Sequence, residues 1–587
     1  MSTALTMQSR DRALAAMTDA EGVDVLVVGG GVTGAGIALD AATRGLRTAI
    51  VEAQDWAGGT SQWSSKLVHG GLRYLYNLDF ALVAEALKER GLLLERTAPH
   101  LVKAQAFLWP LKMPVIERSY SAVGVGMYDV LAQIGGGGRR AVPAQKHYSK
   151  KGAKKLFPGI RDDALIGAIR FYDARVDDAR LVIDLVRTAA GFGALAASRT
   201  QVVGFDKDAD GRVVGARIRD LEGRQDLHVK AKYVINATGV WTEQTQDLVR
   251  DDAGLRVLAS KGIHIVVPKD RIQGSTGIFL RTEKSVLFII PWDRYWVIGT
   301  TDTAWHEDLA HPVATAADID YVLDHANSVL ADPLTRDDII GTYAGLRPLL
   351  QPKTKGDASS AKVSREHTVT EVAPGMCAIA GGKLTTYRVM AQDAVDYAVT
   401  HLFGEGGAEA YPCVTTQIPL VGAAGFRGVQ ARRHLIAAER GWDDARVQHL
   451  LDRYGDEIDI ILAMIDADPT LAAPLRTAPA YLRAEAAFAV TREGALHLED
   501  ILRKRIRLDY ETRDRGASAL PELAEIVAPL LGWDAERTAW EIDCYRARVA
   551  GEDAAERERS DEAASAARSA VPDLVPMVAP DLAAMVA

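Results

Sequence analysis

Cysteine is scarce: Cys377, Cys413 and Cys544 are the three in 587 residues. They lie far apart and form neither a C-x-x-C pair nor a metal-spaced set. That excludes a dithiol–disulfide reductase and fits a reducing compartment. Long apolar runs are also missing. No uninterrupted stretch approaches the roughly 20 residues of a membrane-spanning helix. The most apolar long window, Val25 to Ala42, is broken by glycines. Met1 to Gly22 has no signal-peptide core, because Arg10, Asp11, Arg12, Asp19 and Glu21 interrupt it. The expected setting is the cytosol or the surface of a membrane. A net charge of −9 argues against a general nucleic-acid partner. Repeats are absent.

What is present begins with size. A chain of 587 residues exceeds one hydrophobic core and should divide into two or three domains. Its 48% hydrophobic and 25% charged residues are ordinary globular values. Near the start, Val25 to Val28 reads as a buried parallel strand. It breaks into Gly29-x-Gly31-x-x-Gly34, followed by helical composition from Ala35 to Arg44 and a second apolar run, Thr48 to Val51, ending at Glu52. Gly29 permits a tight turn, Gly31 lets a pyrophosphate approach the backbone, and Gly34 lets helix and strand pack closely. The helix N-terminus at Val32 and Thr33 offers N–H groups and a positive dipole end. Glu52 stands where a carboxylate accepts hydrogen bonds from a ribose diol. The unit predicts dinucleotide binding. No second such motif with a following acidic residue occurs, which favours FAD over NAD.

Gly58 to Tyr74 is dense in glycine and hydroxyls and embeds Leu67, Val68 and Leu72, so it reads as a cofactor-lining segment. Phe80 to Leu101 has helical periodicity, and Gly135 to Lys155 reads as a flexible connection. Leu181 to Gly191 predicts an amphipathic helix. Gln201 to Asp226 alternates as hairpin strands. Tyr233 to Asn236 is a buried strand returning the chain to the cofactor at Ala237-Thr238-Gly239. Strand patterns resume at His264 to Val267, Val286 to Ile290 and Tyr295 to Ile298. Met376 to Ala380 opens into Gly381-Gly382-Lys383-Leu384-Thr385 and a helix to about Leu402, a second helix N-terminus facing a cofactor. After Gly407 the composition turns helical.

Ser64-Ser65-Lys66-Leu67-Val68-His69-Gly70-Gly71-Leu72-Arg73-Tyr74 and Gly381-Gly382-Lys383-Leu384-Thr385-Thr386-Tyr387-Arg388 together resemble the FAD-dependent glycerol-3-phosphate dehydrogenases. Val176 to Leu181, Asn236 to Gly239, Lys261-Gly262-x-His264, Ile298 to Asp302 and Gly345-x-Arg347-Pro348 follow that family's order. The resemblance covers about residues 23 to 530. It implies FAD, oxidation of sn-glycerol 3-phosphate to dihydroxyacetone phosphate, a membrane quinone as acceptor, and peripheral attachment to the inner face of the cell membrane. Trp63 departs from the pattern, since small residues are common there in the family, and receives no role.

The expected fold is α/β: a two-segment Rossmann-like FAD-binding domain (23–75, 165–260 and 365–403), an antiparallel-sheet substrate domain (76–164 and 261–364) and a helical C-terminal domain (404–550). Residues 1–22 form a leader, read as a short helix or a mobile segment, and 551–587 a tail, in which Glu552 to Ala567 reads as a solvated surface helix or tail. Homodimerisation through the helical domain is a further expectation. Cofactor contacts are expected from Gly29, Gly31, Val32, Thr33, Gly34, Glu52, Thr60, Ser61, Ser65, Lys66, Leu67, His69, Gly70, Gly71, Val202, Ala237, Thr238, Gly239, Gly382, Lys383, Leu384 and Thr385.

A dianionic phosphate calls for several charge-assisted donors, for which Arg347, Lys383, Arg73 and the weaker Arg365 are candidates, with Tyr74 beside them. Removing the hydroxyl proton calls for a base, and His264 is the first choice. His69, Lys383 and Arg347 remain alternatives in that role. Lys383 or Arg73 would also favour reduced flavin by placing positive charge near it. Ile501 to Leu508 is the densest basic stretch; it reads first as a helix packed through Ile and Leu with solvated arginines, and second as a surface for membrane contact. Competing readings are a glycerol-3-phosphate oxidase that makes peroxide, a non-catalytic FAD protein, and an amino-acid oxidase of related architecture.

Overall fold

A computed structural model describes residues 2–71, 79–113, 124–131, 141–249, 255–282, 286–351 and 367–578. Two sheets and a helical region make up the fold. The strand Val23–Val28 lies at the centre of the first sheet, paired in parallel with Thr48–Val51 on one side and Gln225–Asn236 on the other. Met376–Ala380 extends it in parallel beyond Gln225–Asn236, and Leu195–Ala197 beyond Thr48–Val51. The near-continuous apolar run of the central strand reflects burial on both faces. Val25 and Val27 pack under the helices Val32–Thr43, Asp178–Gly191 and Tyr387–Phe403, while Leu26 and Val28 face the opposite core. The hairpin strands Thr200–Lys207 and Val213–Asp220 continue from Gln225–Asn236.

The second sheet centres on Val257–Pro268, which pairs antiparallel with Tyr295–Gly299 and with Gly341–Leu350. Alternation divides its side chains. Ile263, Ile265 and Val267 pack against the helix Ala316–Asn327, and Val266 faces a core containing Trp63, Tyr343 and Tyr510. Residues 426–555 are helical, from Phe426–Ala431 to Ala535–Ala555.

The structure departs from the expected divisions in one place. Gly167–Arg175, assigned to the nucleotide domain, instead joins the second sheet between Lys103–Leu111 and Leu67–Val68. The leader forms a capped helix, Met7–Met17, whose Arg10 is buried in an ion pair with Asp220. The tail contains a further helix, Asp561–Ser569, whose Asp561 pairs with buried Lys261. Both ends are thus held by charge pairs to residues far away in sequence. Within Gly135 to Lys155, expected as a connection, Lys146–Ser149 is a strand and Lys150–Leu156 a helix.

Candidate active site

A cleft opens at the C-terminal end of the first sheet's central strands. It is lined by Gly29, Gly31, Val32, Thr33, Glu52, Thr60, Ser61, Val202, Ala237, Thr238, Gly239, Gly382, Lys383 and Leu384. Gly29 has φ 107°, a left-handed conformation that favours glycine, and a Cβ there would strike the Ala237 carbonyl. Gly34 lets its helix meet the strand, because a Cβ would run into the Gly29 carbonyl. Gly31 caps the helix Val32–Thr43, and Ser61 Oγ accepts the Val32 N–H at 2.9 Å. Glu52 Oε2 accepts the Gly30 N–H at 2.6 Å, and Oε1 accepts the Gln54 N–H at 2.7 Å. Burial raises its pKa above the ordinary carboxylate value despite those two bonds.

Two other chain segments complete the cleft. Asn236 Oδ1 accepts both the Thr238 N–H, at 3.2 Å, and the Thr238 hydroxyl, at 2.7 Å, fixing the turn after the return strand. Gly381 and Gly382 are successive left-handed residues, with φ 83° and 73°, and deliver Lys383 to the cleft. Thr385 lies just past that turn. Its hydroxyl accepts the His69 N–H and donates to the His69 carbonyl, both at 3.1 Å. The two motifs that carry the family resemblance therefore meet directly.

Ser65, Lys66, Leu67, His69, Gly70 and Gly71 lie outside the cleft wall. Leu67–Val68 pairs with Gly167–Arg175, and the Gly70 N–H donates to Tyr128 Oη at 2.8 Å. The Lys66 ammonium turns away into a buried ion pair with Asp178 at 2.7 Å, and sits 5.1 Å from the Tyr343 and Tyr510 rings. Its side chain braces the segment. Arg73, Tyr74 and Arg365 lie outside the described residues.

The second sheet brings His264 and Arg347 together. His264 and Tyr343 are register partners, as are Ser260 and Arg347. The His264 ring stacks on Tyr343, with centroids 4.7 Å apart and an interplanar angle of 17°. Gly299 gives it room on another side, since a Cβ would meet the ring. Nε2 bonds Ser65 Oγ at 2.9 Å, and Nδ1 has no hydrogen-bond partner among the described residues. Burial, then the charges of Arg347 and Lys66, hold the imidazole well below its ordinary pKa. It is neutral at physiological pH. Arg347 donates to Thr300 Oγ1 at 3.0 Å and to the Thr301 carbonyl at 3.1 Å, and lies 3.6 Å from Asp302. Its side chain keeps 27% exposure. The next residue, Pro348, lines the cleft.

Trp241, Gln244 and Thr245 also line the cleft and were missed. Their signal was their position directly after Ala237-Thr238-Gly239. Met577 lines it too, and nothing near it in sequence announced this. Trp63 stacks on Tyr343, with centroids 5.7 Å apart, and packs against Gly345. It supports the histidine's platform.

Ile501 to Leu508 is not a membrane surface. Lys504, Arg505 and Arg507 are buried along with Ile501, Leu502, Ile506 and Leu508. Arg505 and Lys504 pair with Asp55, and Arg507 lies 3.0 Å from Asp177.

Residues 24–388 match the family described as FAD dependent oxidoreductase, and residues 413–538 match the C-terminal domain of alpha-glycerophosphate oxidase. Glycerol-3-phosphate dehydrogenase 2 of Mycobacterium bovis is 50% identical over 553 residues, 94% of this chain and 92% of that protein. The human mitochondrial glycerol-3-phosphate dehydrogenase is 34% identical over 92% of this chain and 74% of its own length. The crystal structure of the Bacillus halodurans glycerol-3-phosphate dehydrogenase complexed with FAD is 28% identical, with a TM-score of 0.74 over 93% of this chain and 97% of that one. A cleft built by the glycine turn, the return strand and Gly-Gly-Lys thus stands in a chain matched almost end to end, and the chain belongs to the FAD-dependent glycerol-3-phosphate dehydrogenase family.

Proposed function

We propose that the protein oxidises sn-glycerol 3-phosphate to dihydroxyacetone phosphate and passes the electrons to a membrane quinone. The observation that carries the reading is the placement of buried His264 and of Arg347 on adjacent strands, the second of which reaches the cleft at Pro348. The cleft fits FAD. Its glycines leave the backbone bare, and two helix N-terminal regions converge on it, as the phosphates of a dinucleotide require. Gly29, Gly31, Val32, Thr33 and Glu52 would hold the ADP half, with Thr238, Gly382 and Lys383 further along. Bound FAD supplies the two-electron acceptor for the hydride.

The chain's own residues do the rest. Arg347, fixed by the Thr300–Asp302 turn, binds and orients the phosphate. His264 accepts the hydroxyl proton as the carbon loses hydride. Tyr343 and Ser65 hold the ring in place. The Lys383 ammonium supplies positive charge to the site.

The test is anaerobic mixing of the holoprotein with glycerol 3-phosphate. Bleaching of the visible flavin band is expected, and an unchanged spectrum overturns the reading. Sarcosine or glycine in its place should leave the band intact. The match of residues 413–538 to an oxidase's C-terminal domain favours oxygen as a second acceptor. Stoichiometric peroxide in the absence of quinone would establish that alternative.

Use of a membrane quinone requires contact with a bilayer surface. No helix among the described residues is long and apolar enough to cross a membrane. One end of the second sheet suits surface contact instead. Met113 and Ile166 are 58% and 46% exposed there, beside the exposed Lys112, Lys150 and Lys151. The register brings them together, because Leu111 and Ser149 both pair with Gly167. The proposed location is the inner face of the cell membrane.

A further inference from the structure

The last described residues of the chain lie on the cleft. Met577 forms part of its wall, with Thr200, Gln201 and Trp241. The backbone beside it is pinned: the Val578 N–H donates to Gln201 Oε1 at 2.9 Å, and Gln201 Nε2 donates to the Val578 carbonyl at 2.8 Å. One side-chain amide thus pairs with both polar groups of a residue, as a neighbouring strand would.

The other end of the segment is anchored on the second sheet's side. Asp573 accepts from Arg568 at 3.1 Å and contacts His311 Nε2 at 2.8 Å. Arg568 also donates to the Val571 carbonyl at 3.2 Å. The preceding helix, Asp561–Ser569, packs Ala564 into an apolar cluster with Val240, Trp305, Val313 and Leu346. Val240 itself lines the cleft. The segment therefore runs from an anchor at His311 to an anchor at Gln201, with Met577 against the cleft just before the second.

We propose that residues 572–578 are a cofactor-retaining strap that completes the FAD site, so that FAD leaves only after Val578 detaches from Gln201. Resting on the assignment of the cleft to FAD, the proposal adds a part of the site drawn from the far end of the chain. Thermodynamic reciprocity follows. If the strap holds the cofactor, the cofactor must also hold the strap.

The experiment dilutes holoprotein and follows FAD release by recovery of flavin fluorescence. It compares the full chain, a chain ending at Val571, and the full-length double variant Met577→Ala with Val578→Pro. The proline removes the N–H that bonds Gln201. Release at least about tenfold faster from both altered chains is expected, the scale of one lost hydrogen bond and an apolar contact. Amide exchange at residues 573–578 should also be faster in the apoprotein than in the holoprotein. The double variant decides alone if the shortened chain fails to fold. Gly31→Val separates the two readings, since a side chain there crowds Ser61 in the cleft wall. Unimpaired FAD binding by Gly31→Val would overturn the cleft assignment. Impaired binding by Gly31→Val, with strap variants releasing FAD at the full-length rate, would overturn the strap and leave the cleft.

Discussion

A histidine that acts as a base must be neutral before it works, and His264 meets that condition through its position. Desolvation opposes the imidazolium, and Arg347 and Lys66 repel it, so the folded pKa lies well below the ordinary value of 6.5. The sign follows. A histidine with a depressed pKa favours the folded state above its unfolded pKa, and that contribution is lost as pH falls through the folded value. Between pH 8 and 6.5 the group stays neutral, so the ring itself imposes no loss of rate there. His264→Asn, with FAD bound, should slow anaerobic flavin reduction by about 10²- to 10⁴-fold while substrate affinity changes little. A wild-type reduction rate in that variant would remove His264 as the base. Arg347→Ala should act on binding instead. A charge-assisted hydrogen bond contributes about 1.5–3 kcal/mol, so the substrate dissociation constant should rise roughly 10- to 100-fold. An unchanged constant by flavin-difference titration would exclude phosphate recognition at Arg347.

At the scale of elements, the segment from Ile501 to Leu508 shows where local reading stops. Interspersed apolar and basic residues suggested a surface, yet the carboxylates that pair with the bases come from Asp55 and Asp177. Nothing within the segment records those partners. The pairs join the helical region to the loop after Glu52 and to the start of the helix Asp178–Gly191. Arg505→Ala removes the guanidinium that pairs with the buried Asp55 carboxylate, which should cost about 3–5 kcal/mol and lower the unfolding midpoint markedly. A second clamp lies at His497, between Glu222 and Glu541 at 2.7 and 2.8 Å. Burial pulls its pKa down, but the two carboxylates outweigh burial and push it up to about 9. This raised pKa stabilises the fold below about pH 6.5, and the contribution disappears as pH rises through 9. The shift corresponds to on the order of 3 kcal/mol. His497→Gln should therefore flatten the decline in unfolding temperature between pH 7 and 10, and an identical decline in both proteins would contradict it.

At the scale of the whole molecule, the local patterns that survived folding were those whose cause is local. Val25–Val28, the glycine turn and Glu52 form one contiguous unit, so their strand, turn and carboxylate were readable directly. His264 and Arg347 were readable as chemistry, whereas their adjacency depends on the antiparallel register of two strands about 80 residues apart. Met577, the burial of Arg505 and the ion pairs of Arg10 and Asp561 depend on distant partners and left no local trace. The same limit applies to the membrane surface. The proposed attachment to an anionic bilayer works against a net charge of −9 and therefore rests on a local patch. Lys151 and Lys155 lie on the helix Lys150–Leu156 at the edge carrying Met113 and Ile166, and Lys154 there is already paired with Asp162 at 2.5 Å. Each lysine near an anionic surface contributes about 1 kcal/mol. Replacing Lys151 and Lys155 together with glutamate should weaken binding to phosphatidylglycerol-containing vesicles at least about tenfold, and raised salt should weaken binding of the unaltered protein in the same assay. Flavin reduction by glycerol 3-phosphate in solution should be unaffected, because neither residue lines the cleft. Quinone reduction in vesicles should fall with binding. Equal vesicle binding by the variant and the unaltered protein would overturn the assignment of membrane contact to this edge.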